Sequence, residues 1–154
     1  MTKVITGLEA FLREPPPSAK DRRLGLLCNP ASVDPQLVHA RQCIGNRLPG
    51  RLKALYAPQH GFYAEKQDNM IESDHRKDPA TGLPVFSLYG ETRQPTRAML
   101  EPVDILLVDL QDVGTRVYTF IYTLSYCMEA ARQTGKKVIV LDRPNPVGGD
   151  RIEG

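Results

Sequence analysis

The side chains of this sequence best suited to chemistry stand just beyond apolar runs. They are Asn29; Gln59 and His60; Glu91 and Arg93; Asp109, Gln111, Asp112 and Arg116; and Asp142, Arg143 and Asn145. If the runs before them are parallel strands, these residues converge on one rim. Carboxylates, arginines and amides together suit a polar, anionic small molecule, because the planar fork of arginine pairs bidentately with carboxylate or phosphate.

Each candidate also has a purely structural use. Asp109 closes a buried run, where a carboxylate pairs with an arginine or caps a neighbouring helix as readily as it takes part in catalysis. His60 lies in a Pro58-Gln59-His60-Gly61 turn, so a ligand-facing ring and a turn-stabilising hydrogen bond are both open. Glu65 and Glu72, taken alone, read as solvated charges. Arg143 and Asn145 alternate with prolines that hold a rigid turn, which favours binding over idle surface. Tyr118, Tyr122 and Tyr126 recur every four residues along one helix face. That spacing reads as core packing, although Tyr118 is near enough to the polar crest to meet a ligand. The sequence has no glycine-rich phosphate loop after a strand, no nucleophile elbow, and no His–carboxylate cluster with metal-ligand spacing. No cofactor and no metal are therefore expected.

The elements that must position these residues centre on Val103–Phe120. Ile105–Val108 is apolar without a break and closes on Asp109, the habit of a central strand covered on both faces. A polar crest and a helix over Phe120–Thr134 follow, making a βα unit whose ligand side is the carboxyl end of the strand. That helix carries Phe120, Ile121, Leu124, Cys127, Met128 and Ala131 at helical spacing, with Gly135 as its C′ residue. Further strands are expected at Arg23–Leu27, Arg51–Ala57, Leu83–Leu88 and Lys137–Leu141, the last with a buried apolar run. Helices are expected at Val4–Leu12, at Pro35–Ile44 with Asp34 as N-cap, and at Pro95–Leu100. Phe62–Pro84 shows no periodicity and much charge, and a loop of that length at a strand end reads as functional. The alternation predicts a doubly wound α/β domain over residues 23–154, preceded by an N-terminal helix and proline-rich linker over residues 1–22. Ending on a strand and a Gly-Gly loop, the sheet is expected to be truncated.

Composition bounds the function. A net charge of +2, with Lys and Arg scattered, points to neither a nucleic-acid nor a membrane partner. No apolar run approaches a bilayer span, and Met1–Phe11 lacks the features of a secretory signal, so a cytoplasmic location is expected. Three widely spaced cysteines read as reduced, mostly buried thiols.

The motifs LGLLCNPASVD, ALYAPQHGFYAEKQ, DPATGLPVFSLYGETRQPT, DILLVDLQDVGTRVYTFIYTLSYCMEAA and VIVLDRPNPVGG occur in the order and spacing of one family. Over Leu24–Gly149 the chain resembles the NamZ-like exo-β-N-acetylmuramidases. The resemblance implies a Rossmann-like, mostly parallel sheet with helices on both faces that houses the active site, followed in the family by a smaller second domain. It implies release of N-acetylmuramic acid from the non-reducing end of peptidoglycan fragments, in cell-wall turnover and recycling, without dinucleotide or metal. The partner is then a small carbohydrate, whose lactyl carboxylate Arg116 or Arg143 would clamp.

Glycoside hydrolysis generally uses two carboxyl groups flanking the bond. The family commonly has glutamate where this chain has Gln59, and an amide cannot act as the acid. The assignment passes to Glu65 as general acid, with Asp109 as the second carboxylate or a structural partner of the crest. Asn29, Gln59, His60, Arg116, Tyr118, Arg143 and Asn145 are the expected substrate contacts. Two alternatives are a non-catalytic domain that binds muramyl or amino sugars, and an inactive truncated remnant.

Overall fold

The computed structural model describes residues 4–58, 76–90, 92–115 and 117–151. Its elements in chain order are α1 (Gly7–Arg13), α2 (Pro17–Lys20), β1 (Leu24–Cys28), α3 (Ala40–Arg47), β2 (Leu52–Ala57) and β3 (Arg76–Lys77). They continue with β4 (Pro84–Ser87), α4 (Arg97–Leu100), β5 (Ile105–Asp109), α5 (Phe120–Thr134) and β6 (Lys137–Val140). The strands form one sheet in the order β3-β4-β2-β1-β5-β6. Among the described strands only β3 runs antiparallel, against β4. The five parallel strands thus lie third, second, first, fourth, fifth, the doubly wound order whose reversal falls between β1 and β5.

Alternation of side chains divides the core into two layers. Leu24 and Leu26 of β1, Leu55 and Ala57 of β2, and Ile105 and Leu107 of β5 join Leu8, Phe11, Ala19, Ala40 and Ile44 of α1, α2 and α3. Leu27, Ala54, Tyr56, Leu106 and Val108 join Met99, Leu100, Cys127 and Ala130 of α4 and α5. Helices therefore cover both faces, and every residue of β1 and β5 is buried.

Local chemistry moved several boundaries. Thr6 and Glu9 form a reciprocal capping box, Glu9 N–H donating to Thr6 Oγ1 at 3.2 Å and Thr6 N–H to Glu9 Oε2 at 3.0 Å. The first helix consequently starts at Gly7, with Val4 and Ile5 left outside and exposed. The stretch expected to be a linker instead packs into the core: Pro17 opens α2, and Ala19 is fully buried. Gly7 N–H donates to Asp142 O at 2.6 Å, and a Cβ on Gly7 would lie 2.2 Å from Asp142 N. Only glycine lets α1 come so close to the chain leaving β6.

The expected helix at Pro35–Ile44 starts later, at Ala40, and His39 rather than Asp34 is its N-cap. Asp34 Oδ1 instead accepts from Gln36 N–H at 2.9 Å and Val38 N–H at 2.8 Å. That Asx turn competes with helix at these positions, and Leu37 takes φ 61° within it.

The end of the charged segment is ordered as well. Arg76 and Lys77 pair with β4, and buried Asp78 accepts from Thr81 N–H at 3.0 Å and meets Arg41 Nη1 at 3.6 Å.

On α5 the buried stripe is Thr123, Cys127, Ala130 and Ala131, while Ile121 and Met128 are 51% and 53% exposed. The apolar residues of this helix span two stripes, and only one faces the sheet. Gly135 is the left-handed C-cap at φ 68°. β6, expected to be buried, is half-exposed: among the described residues it lies at the edge of the sheet, paired with β5 alone.

Candidate functional site

β1 and β5 run in register from Leu24↔Ile105 to Cys28↔Asp109, so their carboxyl ends lie side by side. The chain leaves β1 toward the face covered by α3 and leaves β5 toward the face covered by α5. That divergence opens the crevice in which doubly wound sheets bind ligands.

The loop after β1 is folded by its own polar side chains. Asn29 Oδ1 accepts from Ala31 N–H at 3.0 Å. Buried Ser32 accepts from Asn29 N–H at 3.0 Å, and its hydroxyl donates to Asp109 O at 2.5 Å, tying the loop to β5. His39 Nδ1 accepts from Arg41 N–H at 3.2 Å while Nε2 meets Asn29 O at 3.1 Å. Both contacts are satisfied by the neutral ring with its proton on Nε2. Burial, aided by the Arg41 charge, holds the pKa of His39 below 6.5 and favours that form.

Asp109 lies on the floor of the crevice. Arg143 Nε donates to its Oδ1 at 2.5 Å and Nη2 to its Oδ2 at 2.9 Å. Nη2 also donates to Val33 O at 2.9 Å. The two side chains are 0% and 9% exposed. Burial pushes the Asp109 carboxyl up from the ordinary range, opposed by the hydrogen bonds and charge of Arg143. The pair closes a three-way joint between β5, the loop after β1 and the loop after β6.

Above it the crest is stitched to the loop after β6. Gln111 Nε2 donates to Pro144 O at 2.9 Å and to Asp112 O at 2.7 Å. Gly114 has φ 68°, and a Cβ there would come within 2.5 Å of Asn145 Nδ2. Asn145 Oδ1 accepts from Val147 N–H at 3.1 Å.

Four expected site residues, Asn29, Asp109, Arg143 and Asn145, are thus gathered at one rim. Tyr118 stands exposed before α5, edge-on to Phe120 with ring centroids 5.2 Å apart. Gln59, His60, Glu65, Glu72, Glu91 and Arg116 lie outside the described residues.

The tyrosine ladder departs from expectation. Tyr118, Tyr122 and Tyr126 are exposed, Tyr122 at 57%, rather than packed in the core. Tyr122 and Tyr126, with Thr119, Thr123, Leu88, Tyr89 and Arg93, line a cavity of about 330 Å³. Over the Tyr89 ring, Arg93 Cζ stands 3.8 Å from the centroid. Arg93 stands among the rim candidates read from sequence, whereas Ser32, His39 and Tyr89 do not. Ser32 owes its importance to Asp109, 77 positions along the chain, and His39 to the carbonyl of Asn29 at the start of its own loop. The four-residue spacing of the tyrosines was visible, but which way their face points was not.

Cys28 and Cys127 are buried, Cys43 is half-buried, and all three thiols are free. Burial pushes Cys43 up to about 11 and the other two upward as well. None is a thiolate nucleophile at neutral pH. Among the described residues no group of His, Cys, Asp and Glu is arranged to hold a metal ion, and no helix is long and apolar enough to cross a membrane.

Comparison with known proteins agrees with this fold. A peptidoglycan β-N-acetylmuramidase NamZ from Bacillus subtilis (strain 168) is 46% identical over 152 residues, which are 99% of this chain and 36% of that protein. The crystal structure of a DUF1343 family protein from Bacteroides fragilis NCTC 9343 superposes with a TM-score of 0.86 at 42% identity, covering 97% of this chain and 37% of the other. A second DUF1343 family protein from the same organism gives a TM-score of 0.74 at 30% identity over 94% of this chain and 36% of its own. The chain therefore spans little more than a third of the length of these relatives. The family described as exo-β-N-acetylmuramidase NamZ, N-terminal, matches residues 24–154. This chain belongs to the NamZ exo-β-N-acetylmuramidase family and corresponds to its N-terminal part.

Proposed function

We propose that this chain forms the sugar-binding, Rossmann-like part of a β-N-acetylmuramidase that releases N-acetylmuramic acid from the non-reducing end of peptidoglycan fragments. One observation carries the reading. A 46% identical relative is named a peptidoglycan β-N-acetylmuramidase, and the residues matched to it build a polar crevice at the sheet reversal between β1 and β5. Asn29, Asn145 and Tyr118 border this crevice and offer amide and phenol groups to sugar hydroxyls. Gln59, His60 and Arg116 complete the proposed contacts.

Glu65 is the proposed general acid. Asp109 is better suited to anchoring than to proton transfer, because Arg143 engages both of its oxygens. The second carboxyl group of the reaction then comes from elsewhere, with Glu72 the next candidate in this chain. Closure of Asp109 also favours a second reading, a domain that binds muramyl sugars without cleaving them.

The test is release from a chromogenic β-N-acetylmuramide, compared with binding of N-acetylmuramic acid. Glu65→Gln should lower turnover by about 10²-fold or more while binding persists. Full activity in that variant would remove Glu65 from the mechanism. Binding without release by the unaltered protein would favour the second reading.

A further inference from the structure

Among the described residues, two cavities flank the sheet at opposite rims, and their chemistry differs. One, lined by Arg22, Asp104, Lys136 and Lys137 among others, lies at the amino ends of the strands. Two of its charged groups are engaged: Lys136 Nζ donates to Val103 O at 2.6 Å, and Asp104 accepts the fork of Arg23 at 2.7 and 3.2 Å. The other is the tyrosine-lined cavity at the carboxyl rim, between the end of β4 and the first two turns of α5. Parallel sheets bind ligands on that side.

In this second cavity the charge is available. Arg93 is held by its contact with the Tyr89 ring, which occupies none of its N–H donors. Among the described residues it pairs with no carboxylate, in contrast to Arg143, whose Nε and Nη2 are taken up by Asp109 and Val33. An arginine oriented on an aromatic ring and free along its N–H edge is suited to bidentate capture of a carboxylate. Around it stand Tyr122 and Tyr126, whose rings offer apolar faces and whose hydroxyls offer polar tips. A cavity of about 330 Å³ is within the range of small-ligand pockets.

We propose that Arg93, seated on Tyr89 and facing the Tyr122–Tyr126 wall, reads the acidic substituent of the sugar and so distinguishes an acidic amino sugar from a neutral one. This rests on the muramidase reading above and gives the carboxylate clamp, expected at Arg116 or Arg143, to Arg93. Arg143 holds the floor of the crevice, and Arg93 sets specificity.

The experiment is a chemical-shift titration of the chain with N-acetylmuramic acid and with its methyl ester, in which the carboxylate is masked. The unaltered protein should bind the acid about tenfold or more tightly than the ester. Arg93→Gln should abolish that preference by weakening the acid and leaving the ester unchanged. Arg93→Lys, which keeps charge but loses the planar fork, should fall between, and Tyr89→Ala should lower the preference by freeing the guanidinium. Arg93 is exposed, so its variants should keep the parent melting temperature. Preference retained in Arg93→Gln, or equal binding of acid and ester by the unaltered protein, would overturn the assignment while leaving muramyl binding intact. Failure of the unaltered protein to bind either ligand would overturn both.

Discussion

At the scale of single residues, Asp109 shows how a carboxylate in a crevice can hold structure rather than do chemistry. A buried charge is tolerated when its partner supplies matched hydrogen bonds, and Arg143 supplies two to the carboxylate and a third to Val33 O. Asp109→Asn should leave the guanidinium buried without a counter-charge and lower stability by about 3–5 kcal/mol, read from urea unfolding. The double replacement Asp109→Leu with Arg143→Met should cost much less, because no lone charge is left inside. A double variant as unstable as the single one would show that the ion pair is not the source of the loss. The pair joins residues 34 positions apart. The sequence showed that Asp109 ends one strand and that Arg143 follows another, but not that the two strands are neighbours.

At the scale of elements, α3 and the loop before it depend on the protonation of one ring. Nδ1 of His39 caps α3 only while it is unprotonated, and its folded-state pKa is held below 6.5 by burial. As pH falls through 6.5 the unfolded chain takes up this proton first, so stability is lost from there down to the folded-state value and then levels off. Urea midpoints at pH 7.5 and 5.5 should differ in the unaltered protein. In His39→Asn, which keeps a capping oxygen and cannot titrate, the difference should shrink. An unchanged difference would assign the dependence to another group. Sequence reasoning placed this N-cap at Asp34, a good capping type, because nothing local reveals that Asp34 closes its own turn. The α5 helix illustrates the converse. Its bounds, Phe120–Thr134 and the Gly135 cap, were legible from spacing and from glycine's tolerance of φ 68°. Its buried face was not, because both Ile121 and Cys127 fit an apolar stripe, and only the position of the sheet selects Cys127.

At the scale of the whole molecule, stability should decline from the centre of the sheet to its edges. β1 is bonded to β2 and β5 and is buried throughout, whereas β6 and β3 each have one strand neighbour. Hydrogen exchange should therefore be slowest for amides of Leu26 and Leu107, and faster by orders of magnitude in β6. Comparable protection across all strands would indicate that β6 is covered in solution. The same layout explains why the Pro-rich start of the chain is no mere linker. α1 and α2 bury Leu8, Phe11 and Ala19 in the layer shared with β1 and β5, and Gly7 rests on the backbone at Asp142.

The class of fold, the approximate place of the parallel strands and of α5, and the family are all legible along the chain. These follow from local periodicity, caps and contiguous motifs, all of which act over a few residues to a few turns. Tertiary structure alone decided which polar residues meet. The strand order sets Cys28 beside Asp109 and brings the loops after β1, β5 and β6 to one rim. It also decided that the tyrosines face outward over Arg93 and Tyr89 rather than into the core. The physical reason is that residues far apart in the chain become neighbours only through the order of strands and the side from which each helix crosses, and no short-range pattern encodes either.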